Sequence, residues 1–228
     1  MARGAGLTPA TAEQMFRAGC DVVTTGNHVW DRREIVPYLE SQPRLLRPAN
    51  YPEPAPGSGV FIAEAANGVP VAVINLMGRV FMGDADDPFR AADAILRELH
   101  GRTRVILVDF HAEATSEKIA FGWHLDGRAT AVIGTHTHVT TADERVLPTG
   151  TAYITDVGMT GPYDSVIGVE KERVLERFLT QRPTRYAPAS SDVRLAGALI
   201  DLTPSNGHAL SIRRILLEES NPEKTVGP

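Results

Sequence analysis

Three apolar stretches of this chain run out into side chains that can bind a metal or move a proton. "VVTTGNH" ends at Asn27 and His28, "VILVDFH" ends at His111, and "AVIGTHTH" ends at His136 and His138. Imidazole suits zinc, iron, manganese or nickel better than calcium. Each ring can ligate through one nitrogen while an acceptor fixes the other. His136 and His138 lie two positions apart, and in extended backbone that spacing projects both rings to one side. The pair therefore reads as metal ligands. Asn27 alone would be an ordinary turn residue, and His111 alone could equally be a hydrogen-bonded histidine. Asp31 reads as a helix cap whose carboxylate could also orient His28. Glu113 is either a support for the site or a solvated carboxylate. His100, His124 and His208 read as surface or hydrogen-bonded residues, and Cys20 as a small buried apolar one.

These residues need a scaffold that brings distant strand ends together. Thr8 can cap a helix whose first turn holds Pro9, with Ala12, Met15 and Phe16 on one face and Gly19 as the stop. Asp31 and Glu34 have capping-box spacing, which predicts a second helix from there. "PRLLRPANYPEPAPGSG" carries too much proline and glycine for a regular element and is expected to be a long surface loop. "GVFIAEAANGVPVAVINLMG" predicts a β-hairpin turning at Asn67-Gly68. Asp87 and Pro88 open a helix with Phe89, Ala92, Ile95, Leu96 and Leu99 on one face. Further strands at "RVILVDFH" and "ATAVIGTHTHV", the stretch "TAYITDVGM", helices in "ATSEKIAFGWHL" and "VEKERVLERFLTQ", and a late hairpin from Val193 to about Glu219 complete the pattern. Strands alternating with helices predict an α/β fold with a mainly parallel or mixed sheet. Its ligands should bind outside the carboxyl ends of the strands. One domain over 1–219 is expected, with a disordered tail at 220–228.

Composition narrows the function classes. The chain has 228 residues, 43% of them hydrophobic, and a net charge of −5. Lysine and arginine are scattered along the sequence, so there is no strong nucleic-acid footprint and no cationic face for a membrane. Any phosphate on a substrate would have to be met locally, for example by metal. With a single cysteine no intrachain disulfide forms, and neither a membrane-span-length apolar run nor a secretory segment is evident, so a cytoplasmic protein is expected. Oligomeric state is left open, a homo-oligomer included. There is no P-loop, no dinucleotide-binding glycine fingerprint and no G-x-S-x-G elbow.

Taken together, "GLTPATAEQMFRAGCDVVTTGNHVWD", "DFHAEATSEK", "GTHTHV" and "TDVGMTGPYDSVIG" resemble the calcineurin-like metallophosphoesterases, and within them the YmdB-like branch. That branch includes cyclic-nucleotide phosphodiesterases. The resemblance implies a four-layer α/β/β/α sandwich around two transition metals, commonly iron or manganese. It implies Asn27, His111 and His136 on one metal, His138 on the other, and His28 as proton donor. It also implies an aspartate, a bridging glutamate and an asparagine from strands preceding "MARGAGLTP", so the sandwich is expected to be N-terminally incomplete. A fragment, a natural variant, or carboxylates supplied by a partner chain would each account for that. Two other functions stand beside the phosphodiesterase. One is a catalytically silent binding or regulatory protein on the same fold. The other is a mononuclear histidine-metal hydrolase using Glu113 or Asp156.

Overall fold

The computed structural model describes residues 6–219. The expected tail at 220–228 lies outside the described residues. Helix α1 (Pro9–Arg17) begins as anticipated: the Thr8 side chain accepts from the backbone of Thr11, whose own hydroxyl closes the capping box in place of the usual Glu or Gln. Ala12 is fully buried on its inner face. The turn that follows swings Cys20 outward, so the cysteine is exposed rather than buried.

Strand β1 (Val23–Thr24) is short and pairs in parallel with β2 (Leu45–Leu46). Helix α2 (Ile35–Ser41) starts later than Asp31, and Glu34 at its N-cap makes no side-chain capping bond. Asp31 does not cap because its carboxylate is engaged by His28.

The expected surface loop is another correction. Leu45, Leu46, Arg47 and Asn50 are all buried. A proline-rich backbone cannot complete a ladder, so side chains satisfy it instead. The Arg47 guanidinium donates to the carbonyls of Pro48 (2.8 Å), Ala55 (3.2 Å) and Pro56 (3.3 Å). Asn50 donates to the carbonyls of Met77 and Asp86, both at 2.8 Å, and accepts from Met77 N at 2.9 Å.

The main sheet has six strands. Strands β3 (Val60–Glu64) and β4 (Pro70–Met77) form the expected hairpin, with Gly68 in the left-handed conformation at φ 79°. Next come the parallel strands β5 (Val105–His111), β6 (Ala131–Thr135) and β8 (Ala152–Ile154), with the antiparallel edge β7 (Arg145–Val146). Helices α3 (Pro88–Leu99) and α4 (Thr115–Leu125) link these strands. The Asp87 carboxylate caps α3 by accepting from Phe89 N and Arg90 N.

Alternate residues of the sheet build two cores. Ala72, Ile74, Leu76, Val108 and Phe110 pack against residues of α3 and α4. Phe110 stacks on Phe121 with ring centroids 4.0 Å apart. On the opposite face Leu107, Ala131, Ile133 and Ala152 meet Ile200, Ala209 and Ile212. Those last residues come from strands β10 (Val193–Thr203) and β11 (His208–Glu218), which pair antiparallel in a second sheet with β9 (Gly161–Pro162). Helix α5 (Lys171–Thr180) precedes that hairpin. No helix among the described residues is long and apolar enough to cross a membrane.

Candidate metal centre

Strand register assembles most of the site. His111 ends β5 opposite Thr135, the last residue of β6, so His136 emerges next to it. The rings of His111 and His136 meet edge to face with centroids 4.8 Å apart. Asn27 arrives from the turn after β1. That turn is tied to the main sheet by Asn75, whose amide donates to the carbonyls of Thr25 (2.8 Å) and Leu46 (3.2 Å). Gly26 makes the approach possible, because a Cβ there would collide with the His111 ring.

Three polar side-chain atoms consequently converge. Asn27 Oδ1 lies 2.9 Å from His111 Nε2, and His136 Nδ1 lies 3.1 Å from the same nitrogen. The other nitrogen of His111 faces Thr135 Oγ1 at 3.1 Å, and that hydroxyl donates to Asp109 Oδ1 at 2.7 Å. With its one hydrogen spent on Asp109, Thr135 accepts from His111, so the proton sits on Nδ1 and Nε2 presents a lone pair. Desolvation drives the His111 pKa down to about 3, with the neighbouring His136 adding to the effect, so the ring is neutral near pH 7. His136 is likewise lowered, first by burial, while Glu113 opposes the shift. Its Nε2 lies 3.1 Å from Glu113 Oε2.

A neutral His136 has one proton for two neighbours, and Asn27 Oδ1 is a further acceptor aimed at a lone pair. This surplus of acceptors around one point fits a cation, and Asn27, His111 and His136 together suit one metal position. Asp109 behind them is pushed up to about 6 by desolvation, against the hydrogen bonds from Thr24 and Thr135 that lower it.

His138 is placed differently from the expectation. Backbone φ is 106° at His136 and 67° at His138, so the two are not on an extended strand and do not simply share a side. Such angles are costly for residues with a Cβ and persist only where the surroundings impose them. Asp156 imposes them here. Its Oδ2 accepts from Thr137 N (3.0 Å), Thr137 Oγ1 (2.8 Å) and the fully buried Lys118 Nζ (2.7 Å). Its Oδ1 accepts from Gly158 N at 2.8 Å. Asp156 is thus committed to holding the loop and is not free as a ligand or base. His138 Nδ1 donates to the Ile167 carbonyl at 2.8 Å, which leaves its Nε2 for a ligand. Among the described residues, no set of three or more His, Cys, Asp or Glu side chains is placed to hold a metal.

His28 stands at the rim with its side chain 63% exposed, and its Nδ1 lies 2.8 Å from Asp31 Oδ2. The carboxylate fixes ring orientation and leaves Nε2 facing outward. A further support is not legible in the sequence. The buried Glu117 carboxylate accepts from Arg79 N (2.9 Å) and Val80 N (3.1 Å). It thereby shapes the loop whose Gly78 N donates to the His111 carbonyl at 3.0 Å. Glu117 and Lys118 lie in an ordinary-looking helical stretch, and no spacing singles them out.

Comparison with known proteins bears on this geometry. The family model described as YmdB-like protein matches residues 1–215. The 2′,3′-cyclic-nucleotide 2′-phosphodiesterase of Bacillus subtilis (strain 168) is 50% identical over 220 residues, covering 96% of this chain and 83% of that protein. A hypothetical protein from Thermus thermophilus, known as a crystal structure, superposes with a TM-score of 0.88 at 44% identity, over 95% of this chain and 84% of that one. The crystal structure of a novel phosphatase from Mycoplasma pneumoniae gives a TM-score of 0.87 at 31% identity, covering 96% and 80%. The chain belongs to the YmdB-like protein family.

Proposed function

We propose that this chain is a metal-dependent phosphodiesterase acting on a small cyclic nucleotide. The observation that carries the reading is the convergence of Asn27 Oδ1, His111 Nε2 and His136 Nδ1 from three strand ends. The name of the Bacillus relative supports the substrate class. In this reading Asn27, His111 and His136 hold one iron or manganese ion and His138 Nε2 contributes to a second. When bound, such ions polarise the phosphoryl oxygens and make water nucleophilic at neutral pH.

The chain's own residues do the rest. Thr135 and Asp109 keep His111 in the tautomer that ligates, and Asp156 with Lys118 fixes the loop that presents His136 and His138. As water adds to phosphorus and releases one proton to solvent, the ring P–O bond breaks and the departing sugar oxygen takes a proton from His28 Nε2, which solvent then replaces. Asp31 holds that ring in place. The product is a nucleoside monophosphate. In this reading the second metal position is completed by carboxylates in addition to His138. A four-layer sandwich with those carboxylates on an additional segment is the architecture the reading implies.

A second reading, a silent binding protein on the same fold, is favoured by the absence of a carboxylate-rich metal set among the described residues. Hydrolysis assays on His28→Ala separate the two. The phosphodiesterase reading predicts a loss of about 10²–10⁴-fold on an unactivated cyclic nucleotide. It predicts a much smaller loss on a nitrophenyl ester, whose leaving group needs no proton. Equal losses on both substrates would remove the proton-donor role, and no hydrolysis by the wild type would favour the silent protein.

A further inference from the structure

A cavity lies at the other end of the main sheet from the histidines. It encloses about 890 Å³ and is lined by Arg97, Arg102, Arg104, Arg128, His100 and His208, with no acidic side chain in its lining. Val105, where β5 begins, lines it too, whereas His111 ends that strand. Six residue steps of extended chain put the two sites about 20 Å apart. The chain as a whole is acidic, with a net charge of −5. Four arginines line this one cavity and, among the described residues, only Arg128 is paired with a carboxylate, so the lining carries a local excess of positive charge that self-repulsion makes costly to maintain.

Arg97 and Arg102 make no side-chain hydrogen bond or ion pair among the described residues, and both are exposed. Arg128 is paired with Asp93 at 2.6 Å. Arg104 is fixed by donating from Nη1 to the Ser205 carbonyl. That bond docks the turn between β10 and β11 onto the start of β5. The close fit of Gly207 on Arg104, where a Cβ would collide with the Arg104 carbonyl oxygen, secures the same wall. The cavity is accordingly a fixed cleft and not a gap between loose loops. Pro70, Leu96 and Pro204 add apolar surface beside the arginines.

We infer that this cleft is a binding site for a polyphosphate-bearing ligand, separate from the metal centre. Planar guanidiniums pair bidentately with phosphate oxygens, and several of them suit a chain of phosphates better than one. The volume lies in the range of small-molecule pockets, and the apolar wall gives a base or ring somewhere to rest. The chemistry is shared by inorganic tripolyphosphate and by a nucleoside triphosphate, and the apolar wall favours the nucleotide.

Calorimetric titration of the full chain in EDTA, with ATP and with tripolyphosphate, tests the inference away from any metal. Arg97→Ala and Arg102→Ala touch no partner that the fold uses, and thermal melting checks that they remain folded. The expected result is one ATP per chain, tighter than tripolyphosphate, weakened about tenfold or more by either substitution. His136→Ala should leave that binding unchanged. Tripolyphosphate binding as tightly as ATP, with the same arginine dependence, would keep the anion site and overturn the preference for a nucleotide. No saturable binding would overturn the site itself. So would binding lost in His136→Ala but kept in the arginine variants.

Discussion

At the residue scale, the catalytic proposal rests on which atom of each histidine carries a proton. His111 illustrates the dependence: Thr135, whose own hydrogen goes to Asp109, accepts from His111 Nδ1–H, so the proton stays on Nδ1 and Nε2 keeps its lone pair. Thr135→Val removes that acceptor with little change in volume. Metal affinity should fall about 10- to 100-fold, as expected when the outer partner of a ligating histidine is lost. Competition with a chelator of known affinity measures it, and unchanged affinity would show that the relay does not set the tautomer. The strand-terminal positions of Asn27, His28, His111 and His136 are legible because an apolar run ending in a side chain able to bind metal or move a proton is a local pattern. Their supports are not. Asp109 sits inside an apolar strand and Thr135 at the end of the next one, so only the strand pairing reveals that they share a hydrogen bond.

At the element scale, helices with side-chain caps and the hairpin with an Asn-Gly turn are readable because their signals are local. Thr8 and Asp87 cap as expected. Asp31 fails as a cap because a histidine competes for its carboxylate, a contact that spacing alone does not rank. The buried segment around Arg47 and Asn50 reads as a surface loop for a related reason. Its proline content argues against a ladder, but side chains rather than water satisfy its backbone. The loops after β6 and β8 show the same economy. Asp143 accepts from Thr141 Oγ1 (2.6 Å) and from Thr155 N (3.1 Å) and Oγ1 (2.5 Å). Desolvation raises the Asp143 pKa, yet these bonds outweigh it and hold the carboxyl below its ordinary value. A carboxyl with a depressed folded pKa stabilises the fold above its unfolded value, and that contribution disappears as pH falls through the folded one. Asp143→Asn should therefore cost about 1–3 kcal/mol near neutral pH. The gap from wild type should close as the solution is acidified below the ordinary carboxylate range. Denaturant melts across that range check it; a gap that stays constant would mean the carboxylate charge is not what stabilises these loops.

At the scale of the whole molecule, the two ends of the main sheet carry opposite kinds of chemistry. The carboxyl ends gather histidines and an amide, whereas the amino ends gather arginines. Composition alone hides the second feature, since Arg97, Arg102, Arg104 and Arg128 look scattered until α3, β5 and the turn after α4 bring them together. The α/β reading and the parallel central strands are observed, because alternation of strands and helices is a global pattern that survives local errors. The non-extended path of His136 and His138 is not legible, because it is set by Asp156 and Lys118 from distant segments.

The proposed transition-metal position at Asn27, His111 and His136 is tested most directly by elemental analysis. The chain is purified with iron and manganese present, beside His136→Ala. About one tightly held iron or manganese ion, or two where the second position is complete, is predicted in the wild type. The variant should lose that metal while its fold persists. A wild type free of metal, or a His136→Ala protein that keeps the same metal content, would contradict the assignment.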